Sequence, residues 1–294
     1  MSEREAFSRD TRTPNPPVPA GAWDCQLHIY ADPARFPPRR QAAYPPPRAW
    51  FADAHAMSKA IGMSHVSIVQ ATIYSSDHGA LLDVLGQCKD GVYDGIRYHG
   101  VAIVNDELSD AALLELHEAG VRAARFNFWK RLNVAPTIPE FHRSLARIGE
   151  LGWHARIHAT AVELLELEDL FASAKATLLL DHMKAAEGLE QPGRQVVRRL
   201  MERENWWMML SCGERESAMD RPWDDIVPFG ASCYAMAPER CVWATDWPHA
   251  EYPKTPINDA DLVELLYRYL PDREAVQRVL VDNPARLHGL PANR

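Results

Sequence analysis

The chain has no uninterrupted apolar run approaching the roughly 18 residues of a bilayer span, so no membrane-spanning helix is expected. Residues 1–20 lack an apolar core region as well; they are polar and Pro-rich, and read as a flexible tail rather than a secretory signal. Cysteine is scarce: Cys25, Cys88, Cys212, Cys233 and Cys241 are odd in number, scattered, and form no C-x-x-C. That disfavours a disulfide framework or a cysteine-type zinc site, and fits reduced thiols in a cytoplasmic protein. Excess positive charge is missing, since 32 Lys and Arg face 40 Asp and Glu for a net charge of −8. Nucleic acid and anionic membranes are therefore poor partners. A small anionic substrate stays open, because a few converging arginines outweigh distant, screened surface charge. No G-x-G-x-x-G follows the first apolar segment, which weakens a dinucleotide-binding open sheet. No G-x-S-x-G is present, so a serine hydrolase is not suggested.

What is present is a core-forming chain: 294 residues, 47% hydrophobic. Strand-like apolar segments fall at 22–30, 65–71, 99–104, 123–128, 154–158, 177–181, 207–211 and 242–245. Several are continuous apolar runs, as expected of parallel strands buried on both faces. Helical patterns separate them at 49–61, 77–88, 110–119, 139–151, 162–174, 193–203, 223–236 and 259–270. Ser109-Asp110 and Asn258-Asp259 read as capped helix starts. Asn283-Pro284 reads as the start of a last short helix, with Asn as cap. Eight strand–helix units predict an α/β fold, a single (β/α)8 TIM-like barrel spanning residues 21–294.

In such a barrel, side chains at the C-terminal ends of the strands form the active site. Alternation on the first strand puts Asp24, Gln26 and His28 on one face, pointing inward, with Cys25, Leu27 and Ile29 toward the helices. On the fourth predicted strand Arg125 and Asn127 share a face, and the planar Arg125 fork suits a carboxylate. Lys130 and Arg131 follow; their other reading is a solvated loop. The fifth predicted strand aligns His154, Arg156 and His158, with His158 at its end. Asp181-His182 ends the sixth, where His182 alone also reads as a satisfied core histidine. Asp246 lies just past the eighth, and a turn Asp before Trp247-Pro248 also has a local structural explanation. Tyr44, in a Pro-rich loop, and Thr72, after the second strand, are further candidates to contact substrate. Arg215 follows the seventh; an ion pair with Glu214 or Glu216 is its other reading. His249 reads as support for the Asp246 loop.

These residues fall into four motifs: D-x-(H/Q)-x-H at 24–28, R-F-N-F-x-K-R-L at 125–132, D-H-M at 181–183 and T-D-W-P-H at 245–249. Together with Asn283-Pro284-Ala285-Arg286-Leu287 near the end, they resemble the amidohydrolase superfamily. More narrowly they are similar to the 2-pyrone-4,6-dicarboxylate lactonase group, with its galactarolactone isomerases and sulfomuconolactone hydrolases. The resemblance runs from Gly21 to Leu290. It implies an amidohydrolase-type barrel and hydrolysis of a small carboxylated lactone without a metal. It implies Asp246 as general base on water, and His28 and His182 as partners of the lactone carbonyl. It implies Arg125, Arg131 and Arg215 as carboxylate binders.

Two departures matter. Gln26 stands where most of the superfamily has its first metal-binding His, and amide is a poor zinc ligand. This favours a cofactor-free site, with the Gln26 amide free to donate to the substrate; the galactarolactone isomerases share this Gln. His158 stands where the dicarboxylate lactonase has a substrate-binding Tyr. The alternative is one divalent metal, zinc, held by His28, His158 and Asp246. Three enzymatic readings follow: lactone hydrolase, lactone isomerase, and a metal-dependent decarboxylase of the same superfamily. A non-enzymatic binding protein is a fourth. Aromatics such as Trp129 fit either a pocket wall or a homo-oligomer interface.

Overall fold

The computed structural model describes residues 7–183, 192–250 and 256–290. The strands are β1 (Trp23–Leu27), β2 (His65–Val69), β3 (Val92–Tyr93), β4 (Ile96–Ala102), β5 (Val121–Asn127), β6 (His154–His158), β7 (Leu178–Leu180), β8 (Trp206–Met209) and β9 (Cys241–Val242). Short β3 pairs antiparallel with β4; the others run parallel in the order β1-β2-β4-β5-β6-β7-β8-β9. The ring closes through backbone bonds from Cys25 N to Trp243 O (3.0 Å), Asp246 N to Gln26 O (3.0 Å) and His28 N to Trp247 O (2.7 Å). The expected (β/α)8 barrel is therefore the fold.

Pairing register identifies the inward face. Arg125 lies opposite Arg156, Arg156 opposite Leu179, and Leu179 opposite Trp207. Paired residues of parallel strands share a face, so all four point inward. Cys25, Leu179, Trp207, Met209 and Val242 fill one part of the interior, and Val69, Val101 and Ala123 another. The outward residues Ala124, Phe126, Ala155, Ile157, Leu178 and Leu180 pack under the helices.

β1 departs from the simple alternation expected of it. Asp24 pairs with Val66 and Leu27 with Ile68, so one extra residue lies between them. A bulge of this kind puts Cys25 and Gln26 both opposite the inward Ser67. Cys25 therefore faces the interior and Asp24 does not, the reverse of the two-residue period. Gln26 and His28 still reach the mouth, because the bulge resets the phase after Cys25.

The helices form for local reasons. Ser109 caps α3 (Asp110–Glu118) by accepting from Ala112 N at 3.2 Å. Asn258 caps α10 (Asp259–Tyr269) by accepting from Ala260 N at 3.3 Å. α4 (Ile138–Glu150) starts with a reciprocal pair, Thr137 accepting from Glu140 N and Glu140 from Thr137 N, both at 3.3 Å. The helix expected over 162–174 breaks at Leu167 into Ala161–Glu166 and Glu168–Ser173. The last helix corrects a second expectation. Asn283 is itself helical, continuing a π-helical stretch from Arg278, and does not cap. Its side chain instead donates to Pro238 O (2.9 Å) and Cys241 O (2.7 Å), tying the terminal helix to β9.

The described part of the N-terminal segment is docked, not loose. Phe7 pairs with Ile257 and packs against Trp247 with the rings tilted, centroids 4.6 Å apart, while Arg12 bridges Asp261 (2.7 Å) and Glu264. Apolar burial and paired charge hold it where composition alone suggested a solvated tail. At the opposite end of the barrel from the strand C-termini, Trp23 stacks on His65 (4.2 Å) and His99 (4.6 Å) and touches His288 (4.6 Å).

Candidate active site

The C-terminal ends of the strands surround a cleft whose space, open mouth included, is about 590 Å³. His28, Tyr44, Thr72, Arg125, His158, His182, Arg215 and Asp246 line it. His182, Cys212, Asp246 and His249 all have left-handed backbone, with φ of 68, 61, 57 and 59°. For non-glycine residues this costs energy, and here it turns the chain off the barrel at the strand ends. The surroundings hold that turn. Asp24 accepts from Thr245 N at 3.0 Å and from Thr245 Oγ1 at 2.6 Å. His249 pairs with Asp259 at 2.9 Å, both fully buried.

Asp246 is the hub. Its Oδ1 accepts from Gln26 Nε2 at 3.0 Å, with His28 Nε2 at 3.5 Å and His182 Nε2 at 3.8 Å. Its Oδ2 meets Arg215 Nη2 at 2.5 Å. Burial alone would raise its pKa, but Arg215, then His182 and His28, outweigh burial and hold the carboxyl well below the usual range.

The histidines are oriented by their second nitrogens. His28 Nδ1 faces Val69 O at 2.9 Å, so it carries the proton there and turns Nε2 to the cleft. His158 Nδ1 likewise faces Asn127 Oδ1 at 2.9 Å. His182 Nδ1 lies 2.8 Å from Ser211 Oγ, and its Nε2 is 3.0 Å from Gln26 Nε2. Burial pushes the His182 pKa down to about 4, and pushes His158 down as well.

Arg125 is almost fully buried and pairs with Asp181 at 2.7 Å. Arg215 comes from the short helix Gly213–Glu216 and sits between Asp246 and Glu214, the latter at 3.4 Å. The ion-pair reading of Arg215 and its place in the site are thus both present. Tyr44 is held by Tyr30, hydroxyl to hydroxyl at 2.8 Å. Thr72 accepts from Asn127 Nδ2 at 3.5 Å. Three expected residues stand apart from the cleft lining, among them Asn127, which holds His158 Nδ1 and lines a neighbouring cavity. Gln26 is fully buried beneath the cleft and acts through Asp246 and His182. Arg131 is exposed, with its guanidinium over the Trp129 ring at 5.3 Å.

The metal alternative named His28, His158 and Asp246. Among the described residues, the three whose donor atoms cluster within 4.8 Å are instead His182, Cys212 and Asp246. Their chemistry does not fit a divalent cation. Gln26 donates to Asp246 Oδ1, and the Arg215 cation occupies Oδ2. A cation entering there would meet amide hydrogens and a guanidinium.

Sequence reasoning missed Cys212, whose Sγ is 3.2 Å from His182 Nδ1 and 3.6 Å from Asp246 Oδ2. Its position just past a strand end was the available signal. It also missed Asp181 as the partner of Arg125 and Ser211 as the partner of His182 Nδ1.

Comparison with known proteins agrees with this fold. A 2-pyrone-4,6-dicarboxylate hydrolase of Comamonas testosteroni is 35% identical over 283 residues, covering 92% of this chain and 91% of that protein. A 4-sulfomuconolactone hydrolase of Rhizobium radiobacter is 31% identical, covering 93% of this chain and 91% of that one. A crystal structure of an apo protein from Agrobacterium tumefaciens superposes with a TM-score of 0.82 at 26% identity, covering 96% of this chain and 100% of that one. The sequence model of the amidohydrolase family matches residues 23–290. With the barrel, the strand-end histidines and the strand-end aspartate in place, this chain belongs to the amidohydrolase family.

Proposed function

We propose that this protein hydrolyses a small carboxylated lactone without a metal, using Asp246 to activate water. The observation that carries the reading is the Asp246 carboxylate, ionised and held by Gln26 and Arg215 at a cleft that Arg125 and three histidines also line. The lactone hydrolases among its relatives support the same substrate class. The five cysteines are unbridged, in keeping with a reduced, cytoplasmic setting.

Both Asp246 oxygens are engaged, so one contact must yield before water is deprotonated. Arg215 is the group with a competing partner: a substrate carboxylate is a better match for its fork than one carboxylate oxygen. Transfer of Arg215 to substrate releases Oδ2. Water then attacks the carbonyl carbon and its proton passes to Asp246. The Arg125 guanidinium, which lines the cleft, stabilises negative charge on the former carbonyl oxygen, and the Gln26 amide beneath holds Asp246 and His182 in place. The ring C–O bond breaks, and the leaving oxygen takes the proton back from Asp246.

A panel of lactone carboxylates tests this, with Asp246→Asn as control. Ring opening by the wild type, and a loss of about 10²–10⁴-fold in kcat in the variant, is expected. Ring opening that survives Asp246→Asn would sink it. Gln26 also suits lactone isomerisation, in which a substrate hydroxyl replaces water. Heavy-oxygen water separates the two, since only hydrolysis places solvent oxygen in the product. The decarboxylase reading needs a metal, and the donor set argues against one.

A further inference from the structure

Gln26 Nε2 lies 3.0 Å from Asp246 Oδ1 and 3.0 Å from His182 Nε2. An ionised carboxylate only accepts hydrogen bonds, so the amide atom facing Asp246 is the nitrogen, with its two hydrogens. Turning the amide over would set Oε1 against that carboxylate. It would also leave two N–H groups where one buried oxygen now goes without a partner among the described residues. His182 Nε2 therefore faces a donor and must accept. Burial keeps the ring neutral, with its pKa pushed down to about 4. A neutral imidazole that accepts at one nitrogen carries its proton on the other, here Nδ1.

The Nδ1 side is built to receive that proton. Ser211 Oγ is 2.8 Å from Nδ1, and Cys212 Sγ is 3.2 Å away. Ser211 is buried, and its backbone is fixed on both sides. Its N donates to Met209 O at 3.0 Å, and its O accepts from Met183 N, the residue after His182, at 3.3 Å. A hydroxyl can give or take a hydrogen bond, and a protonated Nδ1 makes this one accept. The Cys212 sulfur is the weaker acceptor of the two. Both nitrogens of His182 are thus engaged inside the protein, and neither turns an N–H toward the cleft. The resemblance implied His182 as a partner of the lactone carbonyl; its hydrogen bonds give it a different task.

We propose that Ser211 is a positioning residue, which holds His182 in the Nδ1–H form so that His182 Nε2 and Asp246 together orient the Gln26 amide. His182 then works as an acceptor in the wall of the cleft, and Ser211 acts through His182 and Gln26 on the proposed base. Ser211 itself touches no reacting atom. The proposal rests on the lactonase reading only for its effect on turnover.

The test is nitrogen-15 NMR of the full chain carrying labelled histidine, at about pH 7, where the His182 ring is neutral. Ring nitrogens with and without a hydrogen resonate far apart. The His182 signals are those lost in His182→Gln, checked by their displacement in Ser211→Ala. A protonated Nδ1 and a bare Nε2 are expected in the wild type. Ser211→Ala should move part of the population to Nε2–H. It should also lower kcat on a lactone carboxylate by about tenfold, as the loss of one hydrogen bond allows, with KM and melting temperature close to wild type. Ser211→Thr, which keeps the hydroxyl, should restore both the tautomer and kcat. A wild-type proton on Nε2 overturns the proposal. So does a Ser211→Ala protein whose tautomer is unchanged, or whose kcat falls only together with its stability. The expected tautomers without ring opening by the wild type would defeat the lactonase reading and leave the assignment of His182 standing.

Discussion

Gln26 and Asp246 share one hydrogen bond, Gln26 Nε2 to Asp246 Oδ1 at 3.0 Å. The same nitrogen lies 3.0 Å from His182 Nε2. One amide thus spends both hydrogens on two groups of the candidate site and fixes their spacing. Gln26→Leu should lower kcat by about 10–100-fold, because a hydrogen bond to a charged group is worth about 1.5–3 kcal/mol. Gln26→Glu should be worse, since it sets a second negative charge beside Asp246. Steady-state kinetics with a lactone carboxylate checks both. A change confined to KM would remove Gln26 from the reacting centre.

Arg215 is expected to set the acid limit of activity. Asp246, the proposed base, must be ionised to act, and Arg215 is the leading charge that keeps its carboxyl low despite burial. In the wild type, kcat/KM should hold until pH falls toward about 4, where His182 takes a proton while Asp246 is still ionised. Arg215→Met should let the Asp246 pKa climb, moving the acid limb to higher pH and raising KM for carboxylated substrates. A pH–rate profile with an unmoved acid limb would contradict this assignment.

The histidines around Trp23 predict acid lability. Burial, the main cause, lowers His65 to about 4 and holds His99, His154 and His288 well below the ordinary value. Arg97 and Arg156 nearby act in the same direction. The unfolded chain takes up these protons near pH 6.5 and the folded chain does not. Stability should therefore be complete above about pH 7 and fall as pH drops from 6.5 toward 4, by up to about 1.4 kcal/mol per pH unit for each fully buried histidine. Asp24, raised to about 7 by burial, Glu214 and His249, also raised, oppose this, but His78, His158 and His182, lowered by burial, act with the four. Urea unfolding at several pH values measures the slope, and His99→Asn should flatten it.

Chelation should leave turnover unchanged, because amide hydrogens and a guanidinium occupy both Asp246 oxygens. Metal analysis of the purified protein, paired with activity before and after chelation, decides the point. One tightly held zinc per chain, with activity lost on its removal, would move Asp246 and His182 to ligand roles.

Much of this was readable from the residues. The eight apolar segments, their spacing and the caps at Ser109 and Asn258 were local signals. So were the polar residues at strand ends, and Asp246, His28, His182, Arg125 and Arg215 do converge on one cleft. The phase of β1 was not readable. Alternation predicts Asp24 inward and Cys25 outward, but the bulge that reverses them is a matter of pairing with β2. Arg131 sits in a motif beside Arg125, yet only the chain turn after β5 decides that its side chain lies on Trp129 outside the cleft.

Periodicity, composition and capping are properties of a single segment, and they determined the barrel, its element order and the rim where polar groups gather. Partnership is a property of segments far apart in the chain. That Gln26 bridges Asp246 and His182, that Arg215 lies between two carboxylates, and that a second cavity opens behind Arg125 were decided only when the ring closed. Closure brings β1 against the segment after β9, and only then do residues some 220 positions apart come within hydrogen-bonding distance.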